Sequence, residues 1–194
     1  MSEKDRKDKI DGITGFIPPH GGYEKLFSFQ KARIVYDGTV RFCERFVDKR
    51  SRTTDQMIQA ARSGKQNIIE GSQASAASKE TEIKLTCVAR ASLEELLEDY
   101  RDFLRVRGID EWSPGHSHTK RLRELNRDPT ANYETLRKGI EHPDPAIAAN
   151  VMIGLIKLTN YLLDRQIRQL EQAFLREGGL RERMSKARRE QRGW

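Results

Sequence analysis

The chain is poor in the residues that build most catalytic or cross-linked sites. Two cysteines in 194 residues cannot form a disulfide scaffold, and no metal-ligand spacing relates them. Cys43 stands beside Phe42 and Cys87 beside Val88, each inside a helical pattern, so both read as small buried hydrophobes. The four histidines, His20, His116, His118 and His142, all fall outside the predicted long helices. A di-iron bundle needs Glu-x-x-His on inward helix faces, but Ile17, Ser113, Gly115 and Gly139 occupy the Glu positions. His116 and His118 supply two ligands at most, with no carboxylate or cysteine cluster beside them, where a metal site needs three or four. Neither a metal, a cofactor nor a catalytic residue is expected.

Long apolar runs are also missing. No stretch approaches the ~18 residues of a membrane span, and MSEKDRKDKIDGITG at the start is charged throughout, without the apolar core of a secretory signal. The expected location is the cytoplasm, with no membrane partner.

One stretch imitates a phosphate loop. Ser63-Gly-Lys65 would need Gly at position 59 and Ser or Thr at position 66, where the chain has Gln59 and Gln66. No strand signal precedes it, so the segment reads as helix.

What the chain has in quantity is charge: 34% of residues, with 36 Lys and Arg against 29 Asp and Glu, a net +7. Most of its common residues favour helix. Apolar spacing predicts a first helix over 23–49 with two stripes, one through Phe29, Ala32, Tyr36, Val40, Cys43 and Val47, the other through Val35, Thr39, Phe42 and Phe46. So wide an apolar arc means either a central helix or a second stripe facing another subunit. A second helix is expected over 55–70, capped by Thr53 or Thr54 and ended by Gly71. Its Ala60, Ala61, Ser63 and Gly64 allow close helix approach. A third runs from Ser78 to Arg107, stopping at Gly108, with Leu85, Val88, Ala89, Leu93, Leu96, Leu97, Tyr100, Phe103 and Leu104 on its apolar face. Residues 109–145 carry several prolines and are expected to hold two short helices, over 119–126 and 130–139. Asp144 and Pro145 then cap a fourth long helix reaching Arg176, ended by Gly178-Gly179.

The fold expected is therefore all-α: an up-and-down antiparallel four-helix bundle with a partly helical insertion before the last long helix. A lead-in (1–22) precedes the bundle domain (23–177, insertion 109–145), and a basic tail (178–194) follows it. That tail holds Arg181, Arg183, Lys186, Arg188, Arg189 and Arg192 against Glu182 and Glu190, as either a short exposed helix or a disordered end.

Two segments narrow the reading. Ser63-Gly-Lys-Gln-Asn-Ile-Ile-Glu-Gly71 resembles the S-x-x-x-N-I-x-E-G segment of the four helix bundle protein family. Ala89-Arg-Ala-Ser-Leu-Glu-Glu-Leu96 resembles that family's A-R-x-S-L-x-E-L segment. The family includes intervening-sequence proteins encoded within bacterial large-subunit ribosomal RNA genes and the accessory variability determinant of diversity-generating retroelements. The resemblance implies a homopentamer around a central channel and, in the retroelement branch, a basic protein that binds nucleic acid beside a reverse transcriptase. This chain differs from compact members in its lead-in, its insertion and its tail.

The motif residues Ser63, Asn67, Glu70, Gly71, Ser92 and Glu95 are read as structural, pairing helices and setting their register. The candidate nucleic-acid ligands are Lys49, Arg50, Arg52, Arg41, Arg45, Arg62, Lys65, Arg181, Arg183, Arg188 and Arg189, with Lys31, Arg33 and Arg90 as further cations. The function expected is a non-enzymatic, homopentameric accessory protein that contacts phosphates without reading bases, on RNA in preference to DNA, partnering a reverse transcriptase. The alternative is a protein–protein scaffold whose insertion and tail dock a partner.

Overall fold

A computed structural model describes residues 21–192, and among them every regular element is helical. The lead-in expected over 1–22 lies outside the described residues except for Gly21 and Gly22, as does His20. A single 3-10 turn, Tyr23–Lys25, leads into α1 (Phe27–Phe46), followed by α2 (Arg52–Ala74) and α3 (Lys79–Arg105). The insertion folds as two short helices, α4 (Ser117–Arg127) and α5 (Tyr133–Ile140), before the long α6 (Pro145–Glu177) and the terminal α7 (Leu180–Arg192).

Local chemistry sets most boundaries. The Ser51 hydroxyl accepts from the Thr53 amide, Ser78 from Thr81, and the Asp144 carboxylate from Ala146. Each satisfies one of the amides that a helix start leaves unpaired. Gly108, at φ 65°, lets α3 close: its amide donates to the Arg105 carbonyl and that of Ile109 to the Leu104 carbonyl.

The four long helices touch in the cyclic order α1–α2–α3–α6 and back to α1. Paired contacts run in opposite senses along every seam. Cys43 meets Met57 and Tyr36 meets Lys65 between α1 and α2; Gly64 faces Leu93 and Gly71 faces Glu82 between α2 and α3. Between α3 and α6, Arg90 pairs with Asp164 and Glu94 with Asn160. Between α1 and α6, Ser28 bonds Gln166 and Gly38 faces Met152. Across the middle, the Tyr100 hydroxyl donates to Thr39 Oγ1 at 3.2 Å, and Phe42 packs its ring on Tyr100 and Phe103 at 4.9 and 4.8 Å. Those edge-on and tilted contacts are the favoured aromatic geometries.

Several expectations need correction. Val35, Thr39 and Phe42 are fully buried within this chain, so most of the second stripe of α1 packs into the protein's own core. The second helix does not end at Gly71. It continues to Ala74, because Gly71 is buried where its missing side chain lets the Glu82 carbonyl approach, and its cap is Ser51 rather than Thr53 or Thr54. Cys87 and Val88 are exposed; the buried face of α3 runs through Thr86, Ala89 and Leu93 instead. The first helix is shorter than 23–49, since Leu26 is extended and Val47 leaves the helix with ψ 141°. Nor is an apolar run of membrane length absent: α6 contains one by length and composition, and most of it is buried inside the protein.

The small residues of α2 bring two backbones together. A Cβ on Gly64 would meet Leu93 Cγ and Cδ2 at 2.7 Å, with the Ala89 carbonyl at 3.5 Å. Gly64→Val therefore lowers the urea unfolding midpoint by an amount equivalent to about 2 kcal/mol, since overpacking typically costs ~1–3 kcal/mol and outweighs the gain in helix propensity. Gly115→Ala, at a position with nothing within ordinary contact distance except Ser113 Oγ at 4.0 Å, leaves it unchanged. A midpoint for Gly64→Val equal to wild type would refute the close-seam account.

Candidate nucleic-acid interface

The structure separates the eleven candidate cations into groups with different environments. Lys49 and Arg50 lie exposed in the loop between α1 and α2, and Arg52 is exposed at the first turn of α2. Arg181, Arg188 and Arg189 are exposed on α7. These six, together with Arg62 on α2, form no salt bridge among the described residues. The two clusters sit at opposite ends of α2, whose 23 residues span roughly 34 Å at the helical rise. They do not form one patch.

The other four candidates are engaged inside the chain. Arg41 pairs with Glu44 at 3.1 Å, and Arg45 donates to the His142 carbonyl at 3.2 Å while stacking on Phe46. The Lys65 ammonium sits 4.2 Å from the centre of the Tyr36 ring, an attraction to the ring's negative face. Arg183 donates to the Ala76 carbonyl at 3.3 Å, which ties α7 to the turn before α3.

Two further cations are structural. Lys31 is buried, and its ammonium donates to the Ala131 carbonyl at 3.0 Å. Burial pulls its pKa down, with Asp128 opposing. It anchors the segment before α5 onto α1 and offers nothing to a ligand. Arg90 is held by Asp164.

The motif residues come together in part. The Ser63 and Ser92 hydroxyls are 2.9 Å apart across the α2–α3 seam, and Asn67 donates to Ser63 at both its carbonyl, 2.9 Å, and its hydroxyl, 3.2 Å. Those three pin one register of α2 on α3. Glu70 and Glu95 are exposed and join no salt bridge among the described residues. Glu95 instead lines a shallow groove of about 450 Å³ with Arg52, Asp55, Gln56, Ser63 and Ser92. One cation against two carboxylates there does not suit a phosphate.

Sequence reasoning missed Arg165, Arg168 and Arg176. The buried residues of α6 end at Leu163, so these arginines are exposed beyond the core. The readable signal was the change after Leu163 from a nearly uncharged run to DRQIRQLEQ, obscured by Leu170 and Phe174 continuing the apolar spacing. From 165 to 192 the chain holds nine Lys and Arg and four Glu, nine minus four giving +5. α7 buries no residue of its own.

Nothing among the described residues gathers three potential metal-ligating side chains. His116 and His118 instead pack around Trp112, stacked at 4.8 Å and edge-on at 4.7 Å. With known proteins, the comparisons give no match: no family model, no curated relative and no solved structure matches the chain.

One half-buried carboxylate in the α3 wall works against folding. Burial, with Glu95 and Asp102 adding to it, pushes the Asp99 carboxyl up to about 6 from 3.8, and its Oδ2 has no hydrogen-bond partner. A folded pKa above the unfolded one means that the native state binds the extra proton. The group's relative stabilisation is complete below about 3.8 and is lost as pH rises through about 6. Asp99→Asn therefore raises stability at pH 7.5 by roughly 1–2 kcal/mol after allowance for solvent screening, and the gain disappears near pH 4. Urea midpoints at the two pH values check this; a gain that persists unchanged at low pH would point to another cause.

Proposed function

We propose that this chain is a non-enzymatic four-helix bundle protein that binds nucleic acid through its phosphates, chiefly along the C-terminal arm 165–192. The observation that carries this reading is the arm's charge: a local +5 of the chain's net +7, on helix that lies beyond the last buried residue of α6. Exposed arginines on a helix that buries nothing keep their cations solvated and turned outward. Such an array releases counterions from a phosphate backbone and binds with strong salt dependence and little sequence preference. Lys49, Arg50 and Arg52 at the far end of α2 form a second, smaller contact.

The four helices that touch in a ring, antiparallel along each seam, support the bundle assignment, and the Ser63–Ser92 pair supports the structural reading of the family-like segments. Homopentamer formation, preference for RNA over DNA and partnership with a reverse transcriptase rest on the sequence resemblance alone.

Purification without nuclease followed by anisotropy titration of a labelled single-stranded RNA is the test. Binding at 50 mM salt weakens by at least tenfold at 200 mM if about three or more phosphates are neutralised, from a slope of about −0.7 per contact. Arg181→Gln, Arg188→Gln and Arg189→Gln combined weaken it by about tenfold and flatten the salt slope, without changing the circular dichroism. No shift of RNA or DNA at low salt would discard the reading in favour of the scaffold alternative. Light scattering on the same sample reads the assembly, and a monomeric mass removes the pentamer.

A further inference from the structure

The insertion builds a cavity that the nucleic-acid reading leaves unused. It measures about 400 Å³ and lies between α4, α5 and the start of α6. Leu122, Leu125, Leu136, Ile147 and Val151 form its floor, with Trp112 as one wall. That volume falls at the lower end of the ~300–1,000 Å³ typical of small-molecule sites, which are likewise apolar with a few converging polar groups.

The formally charged side chains that line the cavity, Arg121 and Lys138, carry one sign. His118, Arg121, Lys138 and His142 line it, and no carboxylate does. Nearby acids have partners of their own. Glu124 pairs with Arg121 at 3.5 Å on the surface, with both side chains largely exposed; such a pair is weak and leaves the guanidinium able to turn. Asp144 caps α6 through Ala146, and Glu141 is held by Tyr133 and Arg137. Lys138 forms no salt bridge among the described residues. His142 uses Nδ1 to accept the Asp144 amide, which leaves Nε2 for a ligand.

The wall is built to hold its shape. Buried Asn150 accepts from the Trp112 amide at 2.7 Å and donates to the Asp110 carbonyl at 3.2 Å. Glu111, next in the chain, is fixed by Arg101 and Lys157. Leu122 lies over Gly154, where a Cβ would collide with it, and Val151 lies against Gly139. Neither short helix can sink into α6 to fill the space without displacing these contacts.

From this arrangement we infer that the cavity binds a small amphiphilic carboxylate, a short apolar chain bearing one anionic head, with the chain on the leucine floor and the carboxylate among Arg121, Lys138 and the two histidines. A single carboxylate suits the site better than a dianion, because the head must sit beside an apolar floor where each unpaired charge is costly.

The two tryptophans are Trp112 and Trp194, so Trp194→Phe leaves the cavity wall as the sole indole reporter. In that background, decanoate below its micellar concentration produces a saturable change in emission. Decanol and decylamine, of similar apolar length, bind about tenfold or more weakly, the scale of a lost charge-assisted contact. Arg121→Glu with Lys138→Glu, both exposed positions, abolishes the decanoate preference while leaving decanol binding and the circular dichroism unchanged. Absence of a saturable decanoate signal, or equal binding of decanol or decylamine, overturns the inference.

Discussion

The close approach of α2 to α3 is the constraint on which the remaining structure depends. Ala60, Ala61, Gly64 and Gly71 give α2 a face with little side-chain bulk, and Ala89 and Leu93 of α3 settle into it. Dispersion between closely packed atoms is small per contact and large in sum. Among the seam's polar groups are paired hydroxyls and an amide: Ser63 with Ser92, Asn67 with Ser63, and Thr86 with the Glu82 carbonyl. Once α3 is set in this register, its far side places Arg90 and Glu94 opposite Asp164 and Asn160, which aligns α6.

α6 then divides into two parts. Its first half is among the most buried segments in the protein, from Ala148 to Leu163, and it serves two layers at once. One side completes the ring with α1 and α3, and the other receives α4 and α5. Its second half leaves the core and carries arginines into solvent. The change follows from length: α6 has 33 residues against 20 in α1, so its end outruns the neighbour that would have covered it. Ser28 bonding Gln166 marks the last turn of that shared seam.

Much of this was legible because helical periodicity and capping chemistry are local. Asp144-Pro145, Ser78 with its following glutamates, and Gly108 each act within a turn or two, and the structure uses them as read. Gly71 was misread for a physical reason: a glycine after an apolar run fits either a helix end or a crowded crossing, and only the partner helix distinguishes the two. Lys31 failed in the same way. A lysine on an otherwise apolar face looks like a surface cation until the Ala131 carbonyl, one hundred residues away in the chain, arrives to receive it. The wide apolar arc of α1 left two readings open, and burial of Val35 and Phe42 shows that much of the arc is taken up by the chain's own core. The cavity was invisible altogether, since it needs α4, α5 and α6 placed together by long-range packing.

The distribution of charge follows from the same packing. A ring of four tightly packed helices with a buried centre leaves few interior places for 65 charged residues, 36 basic and 29 acidic. Many exposed charges settle as pairs one turn apart, such as Arg105 with Asp102 and Arg137 with Glu134, and each such pair cancels its own field. Among the described residues, an excess of cations accumulates where acidic partners run short, as at the loop before α2, among the residues lining the cavity, and along the arm beyond Leu163. Net charge alone would have described a mildly basic surface. Its confinement to regions outside the tightly packed seams concentrates a modest excess locally, and the nucleic-acid proposal rests on that concentration.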